Sequence, residues 1–297
     1  MTATASPAGP LAEVLPADGP SSAMRTWRAF YRNPLALIAL AVLALFVALA
    51  VFAPLITPYP TGSGPHILAP PSAHSLFGTD NLGLSIFGEV IWGARDSLIV
   101  GAAASALAVF IGVAIAVIGA YFPRVDAVVG MLVDVCLSLP VLPLMILVAA
   151  LAGPSLETTV LVIAFFSWPE VSRVVRSQAL AVIRLPYIDA ARVIGDSNFR
   201  VIRKHVIPAV APVIVVSVVL TASRAVLAAA GLAFLGLGDP SAWSWGLILY
   251  NAEQAGALQS AWWTALFPSL AILLLVMSAT LISIAYNDAR DPQSRKE

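Results

Sequence analysis

Charged residues that could do chemistry are few in this chain, and they fall into two settings. Asp189 and Arg192 lie three residues apart in a charged segment, residues 187–208, that separates two apolar blocks. At that spacing they share one face of a helix and can form an ion pair. Asp134 and Arg224 lie inside apolar stretches, where ionisable groups are costly and often functional. This pattern indicates ion pairing within the chain or with a partner, and not covalent catalysis.

Catalytic and metal-binding motifs are missing from the sequence. It has no G-x-x-x-x-G-K-[ST] phosphate loop and no G-x-S-x-G nucleophile elbow. His66, His74 and His205 are too dispersed for a recognisable metal site, and the single Cys136 excludes an intramolecular disulfide. We therefore predict no catalytic residue, no metal and no cofactor bound by this chain.

Composition predicts a membrane protein. The 297 residues are 60% hydrophobic and 11% charged, with a mean hydropathy of +0.92, whereas soluble domains are about 25% charged. Sixteen basic residues balance sixteen acidic ones, so bulk charge does not indicate a nucleic-acid partner.

Apolar stretches long enough to cross a bilayer predict an all-α polytopic protein with six transmembrane helices. The fourth is the weakest, because Pro169 and Glu170 lie near its end. The predicted spans are residues 35–56, 98–122, 127–152, 158–175, 208–235 and 264–286.

The distribution of basic residues predicts cytoplasmic N- and C-termini. With six spans, fourteen Lys and Arg fall on the inner side and only Arg95 on the outer side. The predicted organisation is a disordered tail (1–33), an anchor helix (34–57), an extracytoplasmic loop with an interfacial helix (58–96), a five-helix core (97–286) and a second tail (287–297). The charged segment lies in a cytoplasmic loop, at about residues 177–207.

That loop resembles the EAA loop of ATP-binding-cassette importer permeases. The pattern is Asp189-Ala190-Ala191, then Gly195, closed by His205-Val206-Ile207-Pro208, with Asp189 in place of the usual Glu. The resemblance implies that the loop docks into an ATPase subunit. Its candidate coupling residues are Tyr187, Asp189, Ala190, Ala191, Arg192, Gly195, Asp196 and Pro208.

We expect two short helices in this loop. Ala190 and Ala191 would form a low-bulk ridge, and Gly195 would permit the turn between the helices. Asp196 or Ser197 would cap the second helix, which would stop near Pro208.

Two further elements resemble the dipeptide, oligopeptide and nickel branch of the same family. They are Gly78-Thr79-Asp80 with the later stretch 92–98, and residues 232–238 followed by Trp245-Gly246. Structurally, the first is better explained by an ordinary turn before an interfacial amphipathic helix that needs no ligand role. Trp243, Trp245, Trp262 and Trp263 are predicted to form an interfacial aromatic belt.

The resemblance implies one membrane subunit of an importer in the bacterial inner membrane, which forms half of the translocation pathway for di- or oligopeptides or related small solutes. The implied partners are a homologous permease subunit, two cytoplasmic ATPases and an extracytoplasmic solute-binding protein. ATP and Mg²⁺ would be bound by the ATPases, so this chain would not be an enzyme. The alternatives are a secondary transporter or channel without an ATPase, and a scaffold subunit.

Asp134 and Arg224 are the candidate pathway residues. By position they lie about 10 Å and about 24 Å from the cytoplasmic face, at about 1.5 Å per residue. We therefore expect no direct salt bridge between them. Arg224 either lines the pathway or extends to the outer headgroups.

Overall fold

The structure, a computed structural model, describes residues 30–290 of the chain. The regular secondary structure of this part is helical, apart from an isolated bridge between Thr79 and Ser85, and irregular loops connect the helices. The predicted tails, residues 1–33 and 287–297, lie mostly outside the described residues. The helices are α1 (Pro34–Ile56), α2 (Ile86–Tyr121), α3 (Pro123–Ser138), α4 (Val141–Ala152), α5 (Leu156–Ile183), α6 (Pro186–Val193), α7 (Asn198–Val201), α8 (Ile207–Phe234), α9 (Trp245–Gln254) and α10 (Trp263–Arg290).

The long helices run between two ends of a bundle. We call the end that carries α6 and α7 the loop end, and the end that carries residues 57–85 and 235–262 the cap end. Five helices in the described part are long and apolar enough to cross a membrane: α1, α2, α5, α10, and the continuous run Asn198–Phe234 that contains α7 and α8. The weak fourth predicted span is among them, as α5.

The third predicted span, residues 127–152, is a bent pair rather than one straight helix. α3 and α4 meet at an angle of 82°. Between them Leu139 is extended, with φ −81° and ψ 146°. Pro140 causes this, because a proline disfavours helical backbone in the residue before it and has no N–H to donate. Residues 30–290 contain six candidate spans when this pair is counted as one.

The predicted interfacial helix before the second span is wrong. Residues 86–96 are the first turns of α2, which continues without a break to Tyr121. One face of these turns is buried: Glu89, Gly93 and Ala94 are inaccessible to solvent or nearly so. At about 1.5 Å per residue the 36 residues span about 54 Å, more than the roughly 30 Å hydrocarbon core. α2 therefore joins the cap end to the loop end.

Small residues on α2 allow its neighbours to approach closely. A Cβ added at Gly112 would meet the Trp168 carbonyl oxygen at 2.8 Å and the Val171 Cβ at 2.9 Å, both on α5. A Cβ at Gly101 would meet Val226 Cγ2 on α8 at 2.5 Å. Close backbone approach of this kind is what associates helices where lipid removes the hydrophobic driving force.

The predicted aromatic belt is wrong for most of its tryptophans. Trp245 is fully buried, and its indole N–H donates to the Val90 carbonyl oxygen at 2.9 Å. Trp243 donates to the Pro60 carbonyl oxygen at 2.9 Å, and Trp263 to that of Thr79 at 3.1 Å. Trp262 alone among the four is mostly exposed. Buried indoles need an acceptor, and carbonyl groups in the cap-end loop and in the first turns of α2 supply it.

The Gly78-Thr79-Asp80 element is a tight turn within the cap end. Gly78 has φ +77°, a left-handed conformation that favours glycine. The Thr79 hydroxyl donates to the His66 carbonyl oxygen at 2.6 Å, and Asp80 Oδ1 accepts from the Leu82 and Leu84 N–H groups. The turn that the sequence predicts as an alternative is therefore present, but no separate interfacial helix follows it.

Gly112→Leu should destabilise the bundle. The new side chain would overlap the backbone of α5, and overpacking of this kind costs about 1–3 kcal/mol. We expect a lower midpoint of thermal unfolding in detergent. Ala106→Leu is the matched control, because Ala106 lies on an exposed part of the same helix. Equal midpoints for the two variants would contradict the close contact between α2 and α5.

Candidate functional site

The loop between α5 and α8 is held to the bundle by one face of α6. Ile188 is fully buried and Ala191 nearly so, and both pack in a cluster that includes Val175 of α5 and Val210 of α8. Ala190 is exposed. The two neighbouring alanines of the motif therefore have different roles. Ala191 packs against the bundle, whereas Ala190 is exposed and its small side chain adds little bulk to the surface of the loop.

Gly195 ends α6 in the conformation that the sequence predicts. Its φ is +98°. The Asp196 N–H donates to the Ala191 carbonyl oxygen and the Gly195 N–H to that of Arg192, each at 3.1 Å. This is the Schellman arrangement, which satisfies the last carbonyls of a helix. A Cβ at Gly195 would meet nothing within 4 Å, so glycine is favoured here by backbone geometry and not by lack of space.

Ser197, not Asp196, caps the second short helix. The Ser197 hydroxyl accepts from the Arg200 N–H at 3.4 Å. Asp196 forms an ion pair with Arg200 at 3.0 Å, and its carboxylate lies 3.8 Å from His205 Nε2. Asp189 and Arg192 form the expected ion pair at 3.1 Å.

The prediction that the second helix stops near Pro208 is wrong. α7 passes through a π-helical turn, Ile202–Val206, directly into α8. In this turn the Ile207 N–H donates to the carbonyl oxygen of Ile202, five residues earlier. Such a turn changes the hydrogen-bond pattern just before Pro208, which has no N–H to continue the α-helical pattern. The loop is therefore rigidly continuous with a membrane span.

An apolar surface projects from the loop end. Val193 is 87% exposed, Ile194 84%, Phe199 72% and Tyr187 45%. We call these four residues the loop-end surface. Sequence reasoning included Tyr187 but missed the other three, although a Val-Ile pair inside a charged loop was a visible signal.

The end of α2 contacts this loop directly. The Tyr121 hydroxyl donates to Asn198 Oδ1 at 3.0 Å, and the Arg192 guanidinium lies 5.1 Å from the centre of the Tyr121 ring. Tyr121 is the last residue of α2. Nothing in the sequence pattern marked it, because the contact joins residues that are distant along the chain.

Three ion pairs within the bundle involve one face of α5. Glu170, Arg173 and Arg176 follow each other at intervals of three residues, so they lie along one face of this helix. Arg176 forms an ion pair with Asp126 of α3 at 2.7 Å. Asp134, also on α3, pairs with Arg173, and Arg224 of α8 pairs with Glu170.

Asp134 and Arg224 thus have different partners, and α5 supplies both. The Arg224 side chain reaches Glu170 near the middle of α5, which differs from the alternative that it extends to the headgroups. Sequence reasoning recorded Glu170 but did not find its role, since only the packing of α5 against α8 brings the two together.

Two cavities open beside the Glu170–Arg224 pair. The larger, of about 570 Å³, lies toward the cap end between α4, α5 and α8. The smaller, of about 320 Å³, lies toward the loop end between α5 and α8 and includes Asn287 of α10. Both volumes lie in or near the range of small-molecule sites. The structure therefore combines an exposed apolar surface at the loop end with two cavities that meet at an ion pair within the spans.

Two family models match this chain. The model described as "Binding-protein-dependent transport system inner membrane component" matches residues 108–296. The model described as "N-terminal TM domain of oligopeptide transport permease C" matches residues 21–71.

Similar proteins align along most of the chain. The dipeptide transport system permease protein DppC of Alkalihalophilus pseudofirmus is 35% identical over 94% of both chains. The di/tripeptide transport system permease protein DppC of Pseudomonas aeruginosa is 34% identical over 92% of this chain and 93% of the relative. The glutathione transport system permease protein GsiD of Escherichia coli is 34% identical over 90% and 89%.

A solved structure shares the fold. A chain of the MetNI methionine ABC transporter, described in inward facing conformations, superposes with a TM-score of 0.54. The superposition covers 68% of this chain and 94% of the other, at 20% identity. The helical arrangement is thus that of an importer permease.

Tyr121→Phe should loosen the loop while leaving the bundle folded. The change removes the hydrogen bond to Asn198 and keeps the ring under Arg192. A hydrogen bond contributes about 0.5–1.5 kcal/mol, so amide exchange in residues 186–200 should quicken by up to about tenfold. Hydrogen–deuterium exchange in detergent measures this. Tyr59→Phe, which removes a 3.2 Å bond to the Ser241 carbonyl oxygen at the cap end, should leave the loop unchanged; similar exchange in both variants would contradict the contact.

Proposed function

The chain belongs to the binding-protein-dependent transport inner-membrane components, and we propose that it forms half of the translocation pathway of an ATP-driven importer for di- and oligopeptides. It is a multi-pass inner-membrane protein with an importer permease fold. The peptide assignment is supported by the substrates in the names of its relatives, which are dipeptides, di/tripeptides and glutathione.

The proposed assembly pairs this chain with a homologous permease subunit, two ATPase subunits and an extracytoplasmic solute-binding protein. The loop end and both termini are cytoplasmic, as the distribution of basic residues indicates. ATP and Mg²⁺ bind to the ATPases, and this chain itself is not an enzyme.

The observation that carries the proposal is the loop-end surface. Val193, Ile194 and Phe199 are mostly exposed on a loop that is otherwise packed against the bundle. Exposed apolar patches on folded proteins mark interaction sites. Asp189, Arg192 and Arg200 surround the patch with charge, as is typical of an interface with an apolar centre and a polar rim. The partner that family membership indicates for this surface is a groove on an ATPase subunit.

Force on this surface would reach the pathway through rigid elements. Ile188 and Ala191 connect α6 to α5 and α8, and the π-helical turn joins α7 to α8. Tyr121 connects the loop to α2. Movement of the ATPases would therefore tilt three spans together, as a rigid-body change between open states requires.

A secondary transporter or channel is the alternative class. Neither would need an apolar surface projecting beyond the bundle at the loop end, and the family membership favours the ATP-driven function. Co-purification of an ATPase in a fixed ratio with this chain distinguishes the two classes.

Gly195→Val should abolish transport with normal membrane insertion. A β-branched residue at φ +98° is strained by about 1–3 kcal/mol, and the Schellman turn that orients Val193 and Ile194 would be lost. We expect reduced ATPase retention, or ATP hydrolysis without uptake. Uptake and ATPase pull-down from the same membranes measure both.

Gly195→Asn is the matched control, because asparagine tolerates left-handed backbone better than other side chains. It should keep most of the activity, since the space around Gly195 is open. Full uptake and full ATPase retention in Gly195→Val would contradict the coupling role of the loop.

Asp189→Lys should act in the same direction and more weakly. It replaces an exposed ion pair with Arg192 by two like charges, and such a pair contributes about 0–1 kcal/mol. We expect a partial decrease in ATPase retention that disappears at high salt, where charge effects are screened. A decrease that is independent of salt would contradict an electrostatic role for Asp189.

A further inference from the structure

The Glu170–Arg224 ion pair lies at the boundary between the two cavities, and these two residues are the ones that both cavities share. The cap-side cavity is otherwise mostly apolar, with Met145, Phe166 and Leu232 among its lining residues. The loop-side cavity contains polar side chains, including those of Gln178 and Thr221. A solute that moves from one cavity to the other must pass the ion pair.

Neither charge is enclosed by the protein. The Arg224 side chain is 57% exposed and that of Glu170 53%. Such exposure in the middle of membrane spans is costly if the groove faces lipid. The neighbouring polar side chains of Ser167, Gln178 and Thr221 indicate a groove that holds water or solute instead.

The pair offers one positive and one negative group side by side. A ligand with a single charge would bind one partner and leave the other unpaired in the groove. A ligand that carries both an ammonium and a carboxylate would leave neither unpaired. We infer that Glu170 and Arg224 form a recognition site for the charged termini of a zwitterionic solute.

In this inference, which rests on the proposed function, the ion pair exchanges partners with the solute. The solute carboxylate replaces Glu170 on the Arg224 guanidinium, whose fork of N–H donors matches a carboxylate. The solute ammonium replaces Arg224 on Glu170. No covalent bond changes and no proton is transferred. When the solute leaves, the original pair forms again.

Free termini are the groups that all linear peptides share. A site that binds termini admits peptides with many different side chains, and the mostly apolar cap-side cavity leaves room for those side chains. The pair therefore selects zwitterionic solutes as a class and does not select a particular peptide sequence.

A labelling experiment on the purified complex with its partner subunits tests this inference without relying on the solute-binding protein. Ser167 lines the cap-side cavity one helical turn from Glu170. A Ser167→Cys variant in a Cys136→Ser background would react with a maleimide through this cavity. Dialanine at millimolar concentration should slow labelling at least threefold. N-acetyl-dialanine amide, which has similar size and no charge, should not.

The double variant E170Q/R224Q should abolish protection by dialanine, because both charges are lost together and neither is left unpaired. D126N/R176Q is the matched control: it removes another ion pair between α5 and α3 and should retain protection. Equal protection by the blocked peptide, or protection that persists in E170Q/R224Q, would overturn the inference. Lack of labelling in the complex would also overturn it, since another subunit would then cover the cavity.

Uptake by the same variants separates this inference from the proposed function. In E170Q/R224Q we expect dialanine uptake to fall at least tenfold relative to the unmodified complex, with ATPase subunits still bound. Unchanged uptake in this variant overturns the terminus site alone. Absence of ATPase subunits and of peptide uptake from the unmodified complex overturns the proposed function itself.

Discussion

Close backbone approach along α2 is the constraint on which the rest of this structure depends. In hydrocarbon, apolar side chains gain nothing by leaving lipid for a neighbouring helix, so association relies on close packing. Gly101, Gly112 and Gly119 place Val226, Trp168 and Val129 against the α2 backbone. Three other helices, α8, α5 and α3, are thus positioned by residues that have no side chain.

This packing gives α2 a second role, because it is longer than the membrane is thick. Its first turns are buried in the cap end, where Ser244 and Trp245 lie against Gly93 and Glu89 is almost inaccessible to solvent. Its last residue, Tyr121, contacts the loop between α5 and α8. The two ends of the molecule are therefore connected by one uninterrupted helix and not by a chain of flexible loops.

The ion pairs in this bundle connect α5 to its neighbours α3 and α8. α5 presents Glu170, Arg173 and Arg176 along one face, and each finds a partner of opposite sign on α3 or α8. The pair closest to the loop end is the least exposed, whereas Glu170 and Arg224 remain open to the groove. The Asp134–Arg173 pair is exposed to a similar extent, so exposure distinguishes only the pair nearest the loop end.

The sequence by itself determined the class of the fold and the position of the charged loop between α5 and α8. Long apolar runs have only one way to satisfy their backbone in lipid, which is a helix, so the spans could be located from composition. Gly195 and the ion pair of Asp189 with Arg192 are local features, set by residues within one helical turn of each other. Because these features depend only on residues that are close in sequence, the sequence predicts them in detail.

Only the tertiary structure decided which side chains the spans bury and which charges they pair. Trp245 and Trp263 are core residues here because loop carbonyls come within reach of their indoles. Glu170 and Arg224 are 54 residues apart in the chain and meet because α5 packs against α8. Pro208 lies within a continuous helix because a π-helical turn precedes it. Such outcomes depend on where one helix lies against another, and hydrophobic periodicity along a single helix carries no information about that.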